Sequence, residues 1–88
     1  MAAALLRPAF HPGFNDTVGW IAFRQGRTEE ALRFLRQAVK ILPGSVEAHY
    51  HLGAVEDAAG NKTLAAMHLA QAVAIGRRAD EARKKDPA

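Results

Sequence analysis

The chain has 88 residues, 49% hydrophobic and 24% charged, a composition that fits one small globular domain and excludes disordered and collagen-like chains. With no cysteine, disulfides, cysteine-ligated zinc and thiol catalysis are excluded as well. The net charge of +3 sits mainly at the C-terminal end, where Arg77, Arg78, Arg83, Lys84 and Lys85 outnumber Asp80, Glu81 and Asp86.

In chain order, Met1–Leu6 is apolar but has no basic lead, and Arg7-Pro8 ends it too early for a secretory signal. No apolar run approaches the ~20 residues that a membrane-spanning helix needs. With neither signal present, a cytoplasmic location is the expectation. Residues 1–14 are read as an N-terminal segment.

A first helix is predicted near 15–25. Asn15 or Asp16 would cap it, Val18, Ile21 and Ala22 recur at helical spacing, and Gly26 stops it. A second is predicted near 28–42, capped by Thr28, with Glu29 and Glu30 favoured by the dipole of its first turn. Ala31, Leu35, Ala38, Val39 and Leu42 form its apolar stripe, Arg33, Arg36 and Lys40 its wet face, and Pro43-Gly44 ends it.

Ser45 caps a third helix near 46–59, which carries Ala48, Leu52 and Val55 and stops at Gly60-Asn61. Asn61 or Thr63 caps a fourth near 62–75. It carries Leu64 or Ala65, Met67 or His68, Leu69, Ala72, Val73 and Ile75, and Gly76 ends it. Arg77–Lys85 is predicted as a short polar helix, a basic C-terminal cap or tail over 78–88.

Sliding the chain by 34 residues superposes Gly19 on Gly53, Gly26 on Gly60, Ala31 on Ala65, Leu35 on Leu69, Gln37 on Gln71, Ala38 on Ala72, Val39 on Val73 and Ile41 on Ile75. Identities at small and apolar positions mark a packing unit used twice, over 15–44 and 45–77. Gly19 and Gly53 are expected to let the two helices of each unit approach closely, facing the second and fourth helix respectively. A shift of 35 sets Ala3, Leu6 and Pro8 on Ala38, Ile41 and Pro43, so residues 1–8 read as the end of a preceding unit.

These residues carry a resemblance. The 34-residue period, Val18-Gly19 and Leu52-Gly53, Gly26 and Gly60, Ala31 and Ala65, Ala38 and Ala72, and the closing Pro43 are similar to the tetratricopeptide repeat (TPR) family. The early aromatic of that pattern is replaced by Asn15 and His49, the late one by Leu35 and Leu69, and its closing proline by Arg77. The stretch from Asp16 to Leu32 resembles the C-terminal repeats of large bacterial TPR proteins, which implies a bacterial origin. The fold implied is all-α: a TPR-like α-solenoid of two helix-turn-helix repeats, four antiparallel helices, plus the short polar helix.

No catalytic constellation is legible. His49 and His51 point about 200° apart on a helix and cannot share a metal. Ser45 reads as a cap, and Glu56-Asp57 as adjacent carboxylates on an exposed turn, poorly placed as an acid/base pair. No enzyme, cofactor or metal site is expected. The resemblance instead implies a protein-interaction module that binds a peptide or protein in a concave groove lined by the first helix of each repeat. Transferred by position, that groove selects Asp16, Trp20, Phe23 and Arg24, then Glu47, Tyr50, His51, Ala54 and Asp57. Trp20 and Phe23 either anchor a partner or pack against Tyr50 across the repeat junction. The alternative function is nucleic-acid or acidic-surface binding through the basic tail, which has no aromatic residue for base stacking. Two repeats are fewer than a solenoid usually needs, so a homodimer is expected, through the N-terminal apolar segment or the last helix.

Overall fold

A computed structural model describes residues 13–85, and residues 1–8, read above as the end of a preceding unit, lie outside them. Four helices follow in order: α1 Phe14–Arg24, α2 Thr28–Ile41, α3 Val46–Ala58 and α4 Lys62–Lys85. The described residues contain no strand. α1 packs mainly on α2, and α3 on α4; α2 then joins the two hairpins by packing on α3, which also touches α1.

Gly26 and Gly60 both take positive φ, +82° and +88°, the left-handed turn at which a side chain would be strained. Each turn closes alike. The Arg27 N–H donates to the Ala22 carbonyl and the Asn61 N–H to the Glu56 carbonyl, both at 2.9 Å, covering acceptors that a helix end leaves open. The chain therefore reverses twice with one geometry, 34 residues apart.

Inside the hairpins the small residues are buried: Ala31, Ala38, Ala65 and Ala72. A Cβ on Gly19 would stand 2.7 Å from Leu35 Cγ of α2, and one on Gly53 2.8 Å from Leu69 Cγ of α4. Both glycines thus face the helices expected and are required by close approach. Ala22, Ala31, Leu32, Leu35, Leu52 and Val55 form one cluster shared by both units, with Trp20, Phe23 and Val39 packed on its edge.

Several local expectations are corrected. Gly76 does not stop α4; the polar segment continues the fourth helix through Lys85 instead of forming a separate one. No proline falls between Pro43 and residue 87, and Ala, Glu, Arg and Lys are good helix formers. Asn15 and Asp16 do not cap α1, whose cap position is Gly13; Asn15 is buried, its Nδ2 without a hydrogen-bond partner among the described residues. Thr28 is the first residue of α2, not its cap. Ser45 does cap α3, its Oγ accepting from the Ala48 N–H at 3.2 Å.

Glu56 is not exposed but 1% accessible. Arg36 of α2, placed on the wet face, reaches over to it, with Nη2 3.2 Å and 3.3 Å from its two carboxylate oxygens, and Asn61 Nδ2 donates to Oε1 at 2.7 Å. A buried carboxylate persists only with such partners.

Candidate interaction surface

One patch forms where the first helices of the two units meet. Asp16 Oδ1 accepts from His51 Nδ1 at 2.7 Å, tying α1 to α3 across 35 residues of sequence. That bond fixes the imidazole ring, which stacks on Trp20 with centroids 4.3 Å apart and planes 21° from parallel. Phe23, one turn along α1, lies 5.4 Å from the Trp20 ring, and Tyr50 lies 6.0 Å from His51. Trp20 and Phe23 are half-buried on the core edge, while Tyr50 is 55% exposed. The result is a ridge of aromatic faces with a rigid inner side and a wet outer side.

Of the residues singled out in the sequence, Asp16, Trp20, Phe23, Tyr50 and His51 therefore come together. Trp20 packs across the junction on His51, where Tyr50 had been the expected neighbour. Arg24 is exposed in the last turn of α1 and Glu47 in the first turn of α3; Ala54 is half-buried. Asp57 lies apart, held by Lys62 Nζ at 2.7 Å across the α3–α4 turn. The basic residues Arg77, Arg78, Arg83 and Lys84 are exposed on the second half of α4, and Arg83 pairs with Asp80.

Sequence reasoning did not find a second pair. His49 and His68 stack between α3 and α4, their Nδ1 atoms 3.3 Å apart. His49 Nε2 lies 2.8 Å from the Pro43 carbonyl, to which it donates, leaving His49 Nδ1 as the acceptor for His68. Burial, first, and the neighbouring His49 push the His68 pKa below 6.5; Arg36 adds to this, while Glu56 and Gln71 oppose it. Beside the pair is an open cleft of about 250 Å³ bounded by Pro43, His49, Gln71, Ala74, Ile75 and Arg78. It falls below the roughly 300 Å³ at which small-molecule pockets begin. The available signal was positional: His49 occupies the place of the family's early aromatic, a site that faces the second helix of its own unit.

Among the described residues, no three of His, Cys, Asp and Glu cluster as metal ligands, and no helix is long and apolar enough to cross a membrane.

The family model for the tetratricopeptide repeat matches residues 22–88, and with the paired hairpins, the glycine turns and the small-residue interior this places the chain in the TPR family. A TPR repeat-containing protein of Pseudomonas aeruginosa is 45% identical over 42 residues, covering 48% of this chain and 7% of that protein. The chain thus spans a small fraction of the relative's length. No solved structure matches. TPR repeats generally mediate protein–protein interaction, and the family is generally a non-catalytic scaffold.

Proposed function

We propose that the chain binds a peptide or protein segment, without catalysis, on the surface formed by Asp16, Trp20, Phe23, Arg24, Tyr50 and His51. One observation carries this reading: the Trp20–His51 stack is locked by Asp16 and borders the exposed ring of Tyr50. Aromatic side chains held rigid before binding lose little conformational entropy on contact, and Trp, Tyr and Arg most often dominate interface energetics. Arg24 supplies a cation at the end of the same helix, suited to an acidic side chain of the partner.

The test begins with affinity capture from the source organism, followed by titration of the recovered partner. Tyr50→Ala is the cleaner variant because its ring is exposed, and it should weaken binding by about 2 kcal/mol with an unchanged melt. Trp20→Ala should weaken binding at least as much and also lower stability, because Trp20 leans on the core. Unchanged affinity in both folded variants would refute the surface. Binding to random nucleic acid that fell steeply with salt would favour the basic stretch of α4 instead.

A further inference from the structure

His49 and His51 diverge on α3 and share no ion, but the fold gives His49 a different partner. His68 of α4 faces it inside the second hairpin, with the two Nδ1 atoms 3.3 Å apart. That separation exceeds the ~2.7–3.2 Å of ordinary N–H···O hydrogen bonds. It matches another distance. Zinc holds imidazole nitrogens at about 2.0–2.1 Å in a tetrahedron, which sets any two of them about 3.3–3.4 Å apart. The right angles of an octahedron with the same bonds would set them about 2.9 Å apart. The other nitrogen of His49 is already engaged: Nε2 donates to the Pro43 carbonyl at 2.8 Å, which fixes the tautomer and leaves the Nδ1 lone pair on the side of His68. A carbonyl bonded to the far nitrogen is the outer support that metal-bound histidines commonly have.

We propose that His49 and His68 clamp a divalent transition-metal ion, Zn²⁺ by the geometry, between their Nδ1 atoms, with water in the remaining positions. This goes beyond the partner-binding surface proposed above and does not rest on it. His49 is 6% accessible and held in place, whereas His68 is half-buried, and rotation about its soft χ2 aims Nδ1 at an ion between the rings. The proton that His68 directs from Nδ1 toward His49 moves to Nε2, so both rings bind neutral, the form that coordinates a metal. Glu56 and Arg36, the other charged groups that act on His68, are bonded to each other, and as a pair they add no net charge to repel a dication. The cleft bounded by His49, Gln71 and Arg78 opens to solvent and leaves room for the waters. Two protein ligands leave half of a tetrahedral shell to solvent, unlike the closed set of a structural zinc site, and the ion would tie α3 to α4.

The test uses the full chain, without a polyhistidine tag and stripped with a chelator. Calorimetric titration with Zn²⁺ should show one ion bound per chain, and the bound ion should raise the melting temperature. Co²⁺ in its place should give the intense visible absorption of a tetrahedral complex. His68→Gln should abolish that absorption and weaken Zn²⁺ binding about tenfold or more, since loss of even an outer-shell partner costs about 10–100-fold. His49→Gln should do the same, and His11→Gln should bind as wild type does. Far-UV circular dichroism checks that the variants are folded. Nuclear magnetic resonance of wild type needs no variant: Zn²⁺ should shift the imidazole nitrogens of His49 and His68 and leave those of His11 and His51 in place. No binding up to millimolar Zn²⁺, a weak octahedral Co²⁺ spectrum, wild-type affinity in folded His68→Gln, or shifts at the other histidines instead would each overturn the proposal.

Discussion

Two glycines do the same job in the two units, but not at the same cost if replaced. A Cβ on Gly19 would lie 2.7 Å from Leu35 Cγ, and Leu35 is fully buried, with nowhere to turn. A Cβ on Gly53 would lie 2.8 Å from Leu69 Cγ, and Leu69 is at the surface, free to swing outward. Replacing a helical glycine by alanine gains about 1 kcal/mol in helix propensity, whereas forcing a methyl into a filled interior costs about 1–3 kcal/mol. Gly19→Ala should therefore destabilise the chain more than Gly53→Ala, whose methyl meets the movable Leu69 at 2.8 Å but also the fixed Ala65 carbonyl at 3.3 Å. Gly19→Leu should be worse than either. Chemical denaturation of the three variants checks the order; equal losses for the two alanine variants would mean that Leu69 is as confined as Leu35.

At the scale of the elements, three helices end within one residue of where the sequence puts them, because Gly26, Pro43-Gly44 and Gly60 are punctuation with a mechanical cause. Gly76 looked like a fourth stop and is not, since a glycine ends a helix only when the chain beyond it turns away, and Arg77–Lys85 prefers to stay helical. The candidate site was legible as a set of residues through the family pattern. Its bonds were not, because Asp16–His51 and Trp20–His51 join helices 35 and 31 positions apart, beyond the reach of any periodicity. The α3–α4 interface holds the other unforeseen contact, His49 with His68, and it makes pH a probe of that interface. The His68 pKa is lowered in the folded chain, so the unfolded chain binds more protons. The contribution is complete above the unfolded value of 6.5 and is lost as pH falls from there through the lowered folded pKa. The groups facing His68 are His49 and Glu56 of α3, Arg36 of α2 and Gln71 of α4. The melting temperature of wild type should fall as the buffer is acidified through 6.5, and His68→Gln should flatten that dependence. An identical slope in the variant would show that protonation of His68 is not what acid acts on.

At the scale of the molecule, the solvent-shielded interior is one thin cluster, and both units contribute to it. The outer layers consist of half-covered helices, as the exposed Ile21, Leu69 and Val73 show. Apart from small residues such as Ala65 and Ala72, the hairpins share their buried side chains: Leu52 and Val55 of the second unit fill the same cluster as Ala22, Leu32 and Leu35 of the first. A domain of this size has roughly 4–13 kcal/mol of stability, at about 0.05–0.15 kcal/mol per residue. Deleting a fully buried leucine side chain costs about 2–5 kcal/mol, so one such loss consumes a large share of the total. Leu52→Ala should consequently destabilise both units at once, although the substitution lies in the second. Trp20, the single tryptophan, sits in the first unit on the edge of the shared cluster and stacks on His51 of the second, so it senses the junction between the two. Its fluorescence transition should coincide with the loss of helical circular dichroism in wild type and in Leu52→Ala, with both shifted to lower temperature in the variant. If the two hairpins unfolded independently, the helical signal of the variant would be lost in two separate steps, and the cluster would not be what couples the two repeats.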